Sequence, residues 1–512
     1  MSNNNKKLAS DGLDTEEGFS EIVIALVSAV GTDLSRFINL MSDELELYDF
    51  KPEVIRVSSG FLHALQPVPE GLSKLKTINY FMDLGNEYRH LTEDNAALAY
   101  AAISEISQRR TEILGGVDPQ PLNKKAWIIR SLKHPDEVAA LRETYGNSLF
   151  VIGIHASYES RFQTLDNKRR STEGKDIVKN LILRDADEGP NNGHGQHTRD
   201  TFHLADFFID EDQNLNKNRA DVERVFKLIF GYPFLTPTFD EYAMYMAFSA
   251  SSRSADLSRQ VGAVLTKDNN IISTGANDVP RAKGGLYWPS LDSSQTRIVD
   301  SHDGRDYMRG YDANKKAIQE VIDDIIDKLG LEDTTELNQK LKNTKLKDIT
   351  EYGRVVHAEM EAILSCGRTN NSTLDTTLYC TTFPCHNCAK HIIAAGVLRV
   401  VYVEPYAKSK AFEFHGDAIA EGYSDVKVSF EPFVGVGPRS FLNFFSMTLG
   451  NGREIKRKKS SGETVDWSRE SAKLRLNPNA IQYIASEEFS SALTSKHFKI
   501  YNDKKSLLNR NL

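Results

Sequence analysis

A histidine, two cysteines and a glutamate stand at a spacing that could build a metal site. The sequence reads His357-Ala358-Glu359 and, further along, Pro384-Cys385-His386-Asn387-Cys388. One imidazole and two thiolates can hold Zn²⁺ tetrahedrally, and three protein ligands leave the fourth position for water, as in catalytic rather than structural sites. We therefore predict a zinc ion bound by His357, Cys385 and Cys388.

Glu359 stands two residues after the predicted histidine ligand. At the start of a helix, this spacing lets the carboxylate reach the water rather than the metal, so Glu359 is predicted to be the catalytic acid and base. The alternative is a core histidine beside a redox pair or half a zinc knuckle. The upstream H-x-E and the proline before Cys385 disfavour that alternative, because together they form the signature of the zinc nucleobase deaminases. His386 is expected to be a bystander, and Cys366 and Cys380 to be small buried apolar residues.

The composition limits the possible functions. The chain has 512 residues, of which 40% are hydrophobic and 26% charged, as in ordinary globular proteins. The formal net charge of -8 argues against a general DNA or RNA surface, because such binding depends on Lys and Arg neutralising phosphates.

No apolar run approaches the ~18 residues that cross a bilayer, and residues 1–20 lack a signal-peptide core. With all four cysteines inside one short stretch, we predict a cytoplasmic protein without membrane contact.

Apolar runs alternate with helical patterns in the N-terminal part of the chain. The runs Ile22 to Val27 and Ser148 to Ile154 are typical of buried parallel strands. The predicted fold class is therefore α/β, with a disordered tail at 1–20 and an N-terminal parallel-sheet domain at 21–234. Residues 189–195, rich in Gly and Asn, predict a mobile loop.

The C-terminal part has the element order of an α/β/α sandwich with a mixed sheet. Thr238 is predicted to cap a helix, and Gln260 to Leu265 with Ile271 to Gly275 predict a β-hairpin. Further helices are predicted from His357, from Cys385 and near Asp417, and further strands at Thr377 to Thr381, Val400 to Glu404 and Val426 to Phe430. We place this domain at 236–450, with an insertion at about 281–347, followed by an extension at 451–512.

Residues 239–406 resemble the deoxycytidylate deaminase family, within the cytidine deaminase superfamily. The motifs that carry the resemblance are Arg253-Ser254-Ala255-Asp256, Ser258 to Ala263, Gly275-Ala276-Asn277 with Pro280, His357-Ala358-Glu359, and Phe383 to Lys390. The resemblance implies that Asn277 bonds the sugar, that Phe383 lines the base pocket and that the chain forms a homo-oligomer. It also makes Arg253 a candidate phosphate contact, with a surface salt bridge as the equally open alternative.

The order of the domains resembles the bacterial antiphage dCTP deaminases. In these, a P-loop kinase-like domain precedes the deaminase domain, and depletion of deoxycytidine nucleotides starves phage replication. This resemblance extends to Ile24 to Asp33, Asp185 to Phe208 and Pro438 to Phe445. It implies a P-loop kinase-like fold for residues 21–234.

The P-loop expected after the first strand is degenerate. Gly31 could be the second glycine of G-x-x-x-x-G-K-[ST], but Leu26 replaces the first, and Thr32 and Asp33 replace the lysine and the hydroxyl residue. A backbone nest could still bind phosphate, so Ser28, Gly31, Thr32 and Asp33 are candidate nucleotide-binding residues. Three roles stay open for this domain, from the most to the least favoured. They are a site for a nucleotide or an inhibitory effector, a purely structural role, and an active kinase.

Other polar residues of this domain could also bind ligands. Arg130, Lys133 and Arg142 could form a phosphate-binding surface or merely a solvated face. The histidines at 194, 197 and 203, near Asp185 and Asp187, could bind a second metal.

The predicted function is hydrolytic deamination of free dCTP, dCMP or both to the uracil nucleotide. The nearest alternative is a deaminase acting on RNA or single-stranded DNA, which the acidic net charge disfavours. A third interpretation, a nucleotide sensor with a deaminase fold, gives no role to Glu359.

Overall fold

The computed structural model describes residues 21–116, 119–186, 188, 193–332, 334–349, 351–405 and 409–510. The predicted tail at 1–20 and residues 189–192 of the predicted loop lie outside the described residues. No helix of the described residues has the length and apolar character that a bilayer crossing requires.

The N-terminal unit alternates strands and helices. Its elements are β1 (Glu21–Ser28), α1 (Leu34–Glu46), β2 (Lys51–Ile55), α2 (His63–Leu65), α3 (Lys74–Thr92), α4 (Ala97–Ile113), β3 (Lys125–Leu132), α5 (Pro135–Tyr145), β4 (Leu149–His155), α6 (Tyr158–Asp166), α7 (Asp176–Ala186), α8 (Thr198–Phe202), β5 (Phe207–Asp210) and α9 (Leu215–Ile229).

The five strands of this unit form a parallel sheet in the order β2-β3-β1-β4-β5. The central strand β1 is buried along its whole length, as its uninterrupted apolar sequence predicted. α1 and α9 cover one face of the sheet, and α4 and α5 cover the other. The predicted parallel α/β fold class is confirmed.

The rest of the chain forms a second sheet and its helices. The elements are α10 (Phe239–Ser251), β6 (Gly262–Lys267), β7 (Asn270–Ala276), β8 (Ser290–Leu291), β9 (Ile298–Val299), α11 (Asp306–Arg309), α12 (Ala313–Lys328), α13 (Thr335–Lys342), α14 (Ala358–Arg368), β10 (Thr376–Thr382), α15 (His386–Ala394), β11 (Val397–Glu404), α16 (Ala411–His415), β12 (Ile419–Glu421), β13 (Val428–Pro432), β14 (Gly435–Val436), α17 (Phe441–Phe445) and α18 (Ala480–Arg510).

This second sheet has the order β12-β13-β11-β10-β6-β7 and is mixed, as predicted. β6 pairs antiparallel with both β7 and β10, whereas β10, β11, β13 and β12 are parallel to one another. The predicted hairpin is β6–β7, and Asp268 and Asn269 turn it with φ of 49° and 57°. Asp and Asn tolerate this left-handed conformation better than other side chains, which is why the turn forms there.

The C-terminal residues return to the N-terminal unit. β14 pairs antiparallel with β5 and so becomes the edge strand of the first sheet. The helix α18 packs along α4 and also contacts α3 and α5. The helix α18 therefore helps to enclose the N-terminal unit.

A buried ionic cluster fixes α18 in place. The Arg110 guanidinium donates to Glu21 at 3.1 Å and to Glu487 of α18 at 2.9 Å. Tyr483 and Trp127 also donate to Glu21. The side chains of Arg110, Glu21 and Glu487 are only 1–2% exposed. Burial of charge on this scale is tolerated because every charge has a bonded partner.

Candidate active site

Two helix starts bring the predicted metal ligands together. His357 is the N-cap of α14 and Cys385 is the N-cap of α15. α14 lies directly against β7 at Gly275, where a Cβ would come within 2.1 Å of the Ala358 carbonyl oxygen. Because only glycine permits this approach, Gly275 determines how closely the start of α14, with His357 and Glu359, packs against the sheet.

The ligand atoms stand at metal-binding distances. The His357 Nδ1 lies 3.4 Å from the Cys385 sulfur and 3.3 Å from the Cys388 sulfur, and the three atoms lie within 4.8 Å of one another. A tetrahedral zinc with ordinary Zn–N and Zn–S bonds separates such ligands by about 3.5 Å. The residues therefore fit a zinc ion without rearrangement.

The two thiols are electrostatically coupled. A hydrogen bond from Cys388 lowers the pKa of Cys385 to about 4, with the His357 imidazole contributing in the same direction. The same hydrogen bond, together with burial, raises the pKa of Cys388. A divalent cation bound between the two sulfurs would favour the thiolate form of both.

Glu359 is buried beside this triad. It is the second residue of α14 and is 5% exposed. Burial raises the pKa of its carboxyl group above the ordinary value, while the nearby His357 opposes the shift. A carboxyl group whose pKa moves towards neutrality can both take and return a proton, as general acid and base catalysis requires.

Glu359 opens onto a cavity of about 280 Å³ that also contains His357 and Cys385. Asn277 and Phe383, the residues predicted to contact sugar and base, both line this cavity. The Asn277 side chain accepts from the Val261 amide at 2.7 Å and donates to the Arg259 carbonyl at 2.8 Å. Its amide is thus held by backbone on both sides, and one donor hydrogen and one lone pair remain for a ligand.

Arg253 does not line this cavity. Its guanidinium donates to the Tyr287 carbonyl at 2.9 Å and lies 3.8 Å from the centre of the Trp288 ring. The predicted phosphate contact at Arg253 therefore has no support in this geometry, and the surface salt bridge proposed as its alternative is also absent among the described residues. Cation–π stacking against the insertion explains why an arginine stands here.

Part of the cavity wall comes from the insertion, which sequence reasoning did not assign to the site. Asp306, Asp312 and Asn314 of the insertion line the cavity, and so does Arg354, which follows the insertion. The insertion is held over it by the buried Arg305, which pairs with Asp300 at 2.9 Å and with Asp278, the neighbour of Asn277, at 3.2 Å. The one sequence feature that could have indicated any of these residues was the position of Arg354, three residues before His357.

A second cavity, also of about 280 Å³, lies in the N-terminal unit. Ser28, Gly31 and Thr32 line it, together with Arg130 and Lys133. Asp33 does not line it; its side chain caps α1 by accepting from the Arg36 amide.

Several other candidates of the N-terminal unit are not gathered into this cavity. Arg142 lies elsewhere and pairs with Asp206 at 2.9 Å. Among the described residues the predicted histidines 194, 197 and 203 do not form a metal-ligating group, whereas His155, Asp210 and Asp212 do lie close together.

The histidine, the C-x-x-C pair and the buried glutamate on an α/β/α sandwich are the arrangement of the zinc-dependent nucleobase deaminases. Residues 237–404 match the family model described as the cytidine and deoxycytidylate deaminase zinc-binding region. The deoxycytidylate deaminase of Enterobacteria phage T2 is 30% identical over 170 residues, which are 33% of this chain and 80% of that protein. The chain belongs to the deoxycytidylate deaminase family.

The similarity to these deaminases covers less than half of the chain. The deoxycytidylate deaminase of Saccharomyces cerevisiae is 23% identical over 245 residues, and the match covers 46% of this chain and 63% of that protein. The crystal structure of a dCMP deaminase from the cyanophage S-TIM5, solved with dCMP and dUMP, covers 39% of this chain and 99% of its own, at 18% identity and a TM-score of 0.23.

Replacing a metal ligand should abolish zinc binding. We expect Cys388→Ser to reduce the zinc content from about one ion per chain to a small fraction of that, since removing one of three ligands leaves no stable site. Elemental analysis of the purified, dialysed protein measures this. His386→Ala is the control, because His386 lies between the two cysteines in sequence but outside the group of ligand atoms. Equal zinc content in both variants would contradict the assignment.

Proposed function

We propose that this chain catalyses the hydrolytic deamination of a free deoxycytidine nucleotide, dCMP or dCTP, to the corresponding deoxyuridine nucleotide and ammonia. The observation that carries the proposal is the position of Glu359, buried beside His357 and Cys385 in a cavity that Asn277 and Phe383 also line. Family membership supports the same chemistry.

In this proposal His357, Cys385 and Cys388 hold the zinc ion. Bound zinc supplies Lewis acidity that makes water nucleophilic at neutral pH. Glu359 takes a proton from the attacking water and passes it to the ring nitrogen N3 as the water oxygen bonds to C4. Glu359 then takes the second proton from the hydroxyl group on C4 and delivers it to the exocyclic amine, so that the C4–N bond breaks, the C4 carbonyl forms and ammonia leaves. The carboxylate ends as it began, so one water is consumed for each ammonia released.

The shape of the cavity supports a cytosine base. Phe383 forms one wall, and it is itself held by Tyr402, Phe412 and Phe430, with ring centres 4.9–5.6 Å away. An aromatic wall fixed on its outer side gives a planar base a rigid surface to pack against. Asn277 stands where its remaining donor and acceptor can bond a sugar hydroxyl.

Two arginines on the cavity wall supply positive charge for a phosphate. Arg354 pairs with Asp306 at 2.7 Å, and Arg259 contacts Glu404 at 2.6 Å. Each guanidinium therefore presents its remaining donors to the cavity while a carboxylate fixes its orientation. Since neither arginine distinguishes one phosphate group from three, monophosphates and triphosphates are both included in the proposal.

The test is an incubation of the zinc-loaded protein with dCMP, dCTP and a cytosine-containing single-stranded oligonucleotide in separate reactions, with products resolved by mass. We expect conversion of at least one free nucleotide and an unchanged oligonucleotide. Deamination of the oligonucleotide while both nucleotides stayed intact would overturn the proposal in favour of a nucleic-acid deaminase.

The proposal extends to the cell, where the reaction would lower the deoxycytidine nucleotide pool and limit phage DNA synthesis. The support is the resemblance of the domain order to antiphage dCTP deaminases. Nucleotide extracts from phage-infected cells carrying the wild type or Glu359→Ala should differ in dCTP and dCMP. Equal pools with equal phage yields would argue against this role.

A further inference from the structure

The wall of the deaminase cavity has two parts that are held in different ways. His357, Glu359 and Cys385 belong to the helix starts that pack on the second sheet. Another part of the wall is formed by Asp306 of the insertion and by Arg354, one of the two arginines proposed to face the phosphate. The reacting groups are therefore positioned without the insertion, whereas a contact that binds the nucleotide depends on it.

Arg354 is oriented by two residues of one tight turn. Its guanidinium donates to the Asp306 carboxylate at 2.7 Å and to the Gly304 carbonyl at 2.8 Å. The turn is closed by the Gly304 amide, which donates to the Ser301 carbonyl at 3.0 Å. Arg305 lies between the two partners of Arg354 in sequence and does not itself line the cavity. A shift of Arg305 would therefore move both partners of Arg354 together.

Arg305 is anchored inside the protein by charged and polar partners. Its side chain is 6% exposed, and it pairs with Asp300 at 2.9 Å and with Asp278 at 3.2 Å. It also donates to the Tyr287 carbonyl. Because the donors of a planar guanidinium point in fixed directions, these three partners define one position for Arg305.

Asp278 connects this anchor to the deaminase fold. Its backbone forms an isolated β-bridge with Val356, whose amide donates to the Asp278 carbonyl at 3.0 Å. Asp278 directly follows Asn277, and Val356 directly precedes His357. Burial raises the pKa of the Asp278 carboxyl group, and the charge of Arg305 opposes this shift. Arg305 therefore joins the insertion to the point where the segments that carry Asn277 and His357 meet.

We propose that Arg305 is a positioning residue of the deaminase cavity, which anchors the turn at residues 304–306 to Asp278 so that this turn orients Arg354 towards the phosphate of the nucleotide. The proposal rests on the deamination proposed above and gives the insertion a part in it. Loss of the anchor weakens nucleotide binding but leaves the zinc ligands and Glu359 in place, because the insertion does not hold them.

The test compares the zinc-loaded wild type with Arg305→Met and Arg305→Lys, using the deoxycytidine nucleotide that the wild type converts. Methionine removes the charge, whereas lysine keeps the charge but lacks the guanidinium fork. We would measure kcat, KM and zinc content for each protein, with thermal melting as the check on folding. Arg309→Met is the matched control, because Arg309 is an exposed arginine of α11 that bonds the Asp303 carbonyl at 2.9 Å and lies outside the cavity.

We expect Arg305→Met to raise KM by about tenfold or more with kcat within about twofold of the wild type, the pattern of lost substrate binding with intact chemistry. Arg305→Lys should raise KM less. Arg309→Met should behave like the wild type, and zinc content should stay at about one ion per chain in every variant. An unchanged KM in both Arg305 variants, or an equal rise in Arg309→Met, would overturn the role. If the methionine variant does not fold, an unchanged KM in Arg305→Lys alone overturns it.

A double-mutant cycle with Arg354→Met shows whether Arg305 acts through Arg354. Once Arg354 is absent its orientation no longer matters, so the double variant should have about the same KM as Arg354→Met alone. If the two increases in KM multiplied instead, Arg305 would act independently of Arg354, and the positioning role would be overturned.

Failure of this role and failure of the proposed function give different results. A wild type that converts no deoxycytidine nucleotide would overturn the proposed function and the role of Arg305 with it. An active wild type whose kinetics were retained by the Arg305 variants would overturn this role alone and leave the deaminase proposal standing.

Discussion

Substituting Glu359 by glutamine should reduce turnover of the deoxycytidine nucleotide by about 10²–10⁴-fold, the usual contribution of a positioned proton shuttle. Glutamine has nearly the same shape but cannot exchange the proton, so the cavity and the metal ligands stay in place. The measurement is kcat with the substrate that the wild type converts, together with zinc content and substrate binding. Zinc content should stay at about one ion per chain.

Glu361→Gln is the matched control for this experiment. Glu361 lies in the same first turn of α14 and is equally buried, but its carboxylate bonds Arg368 rather than facing the cavity. We expect its turnover to stay close to that of the wild type. If Glu359→Gln retained turnover, or if both variants lost it together, the role assigned to Glu359 would be wrong.

Arg110→Met should destabilise the folded chain by about 3–5 kcal/mol, because it leaves two buried carboxylates without their cation. Glu21 belongs to the central strand β1 and Glu487 to the C-terminal helix α18, so the loss is expected to separate the helix from the sheet. Burial already raises the pKa of Glu487 even with Arg110 present. Hydrogen exchange along α18, combined with denaturant unfolding, measures both effects.

The adjacent residue provides the control for this substitution. Arg109 also makes two ion pairs, with Glu53 and Glu105, but its side chain is 34% exposed. Pairs in contact with solvent contribute only about 0–1 kcal/mol, so Arg109→Met should change stability little. Similar losses for the two variants, or an α18 that stayed protected in Arg110→Met, would contradict the proposed function of the buried cluster.

The elements of the fold that sequence predicted well are those with a strong local signal. β1 was visible as an unbroken apolar run, the β6–β7 hairpin through its Asp-Asn turn, and α10 through its N-cap Thr238. The two-residue strand β14 and its pairing with β5 could not be found in this way, because the pairing joins residues far apart in the chain. The sequence from Val225 to Phe230 is mostly apolar, like a buried strand, but it forms the end of the helix α9 and its C-cap.

The residues of the candidate site also fall into two groups, those that a local motif predicted and those that depend on contacts distant in sequence. The predicted ligands and Glu359 stand at fixed offsets within two short motifs, so the sequence alone was enough to predict their roles. The contributions of Asp306 and Arg354 depend on how the insertion folds back over the cavity, which the buried Arg305 decides through partners distant in sequence. Phosphate contact by Arg253 stays a prediction, and its stacking on Trp288 of the insertion is a contact that no local pattern indicated.

Because β14 and α18 pack against the N-terminal unit, this unit cannot complete its fold until the ribosome has synthesised nearly the whole chain. The strands β1 to β5 emerge early, yet the edge of β5 stays open until residue 436 has been made, and Arg110 meets Glu487 only near the end of synthesis. An open sheet edge and apolar surface that its later partners have not yet covered both promote aggregation. Truncated transcripts or early stop codons would therefore yield a nascent N-terminal half that is cleared by proteolysis rather than a free-standing fragment.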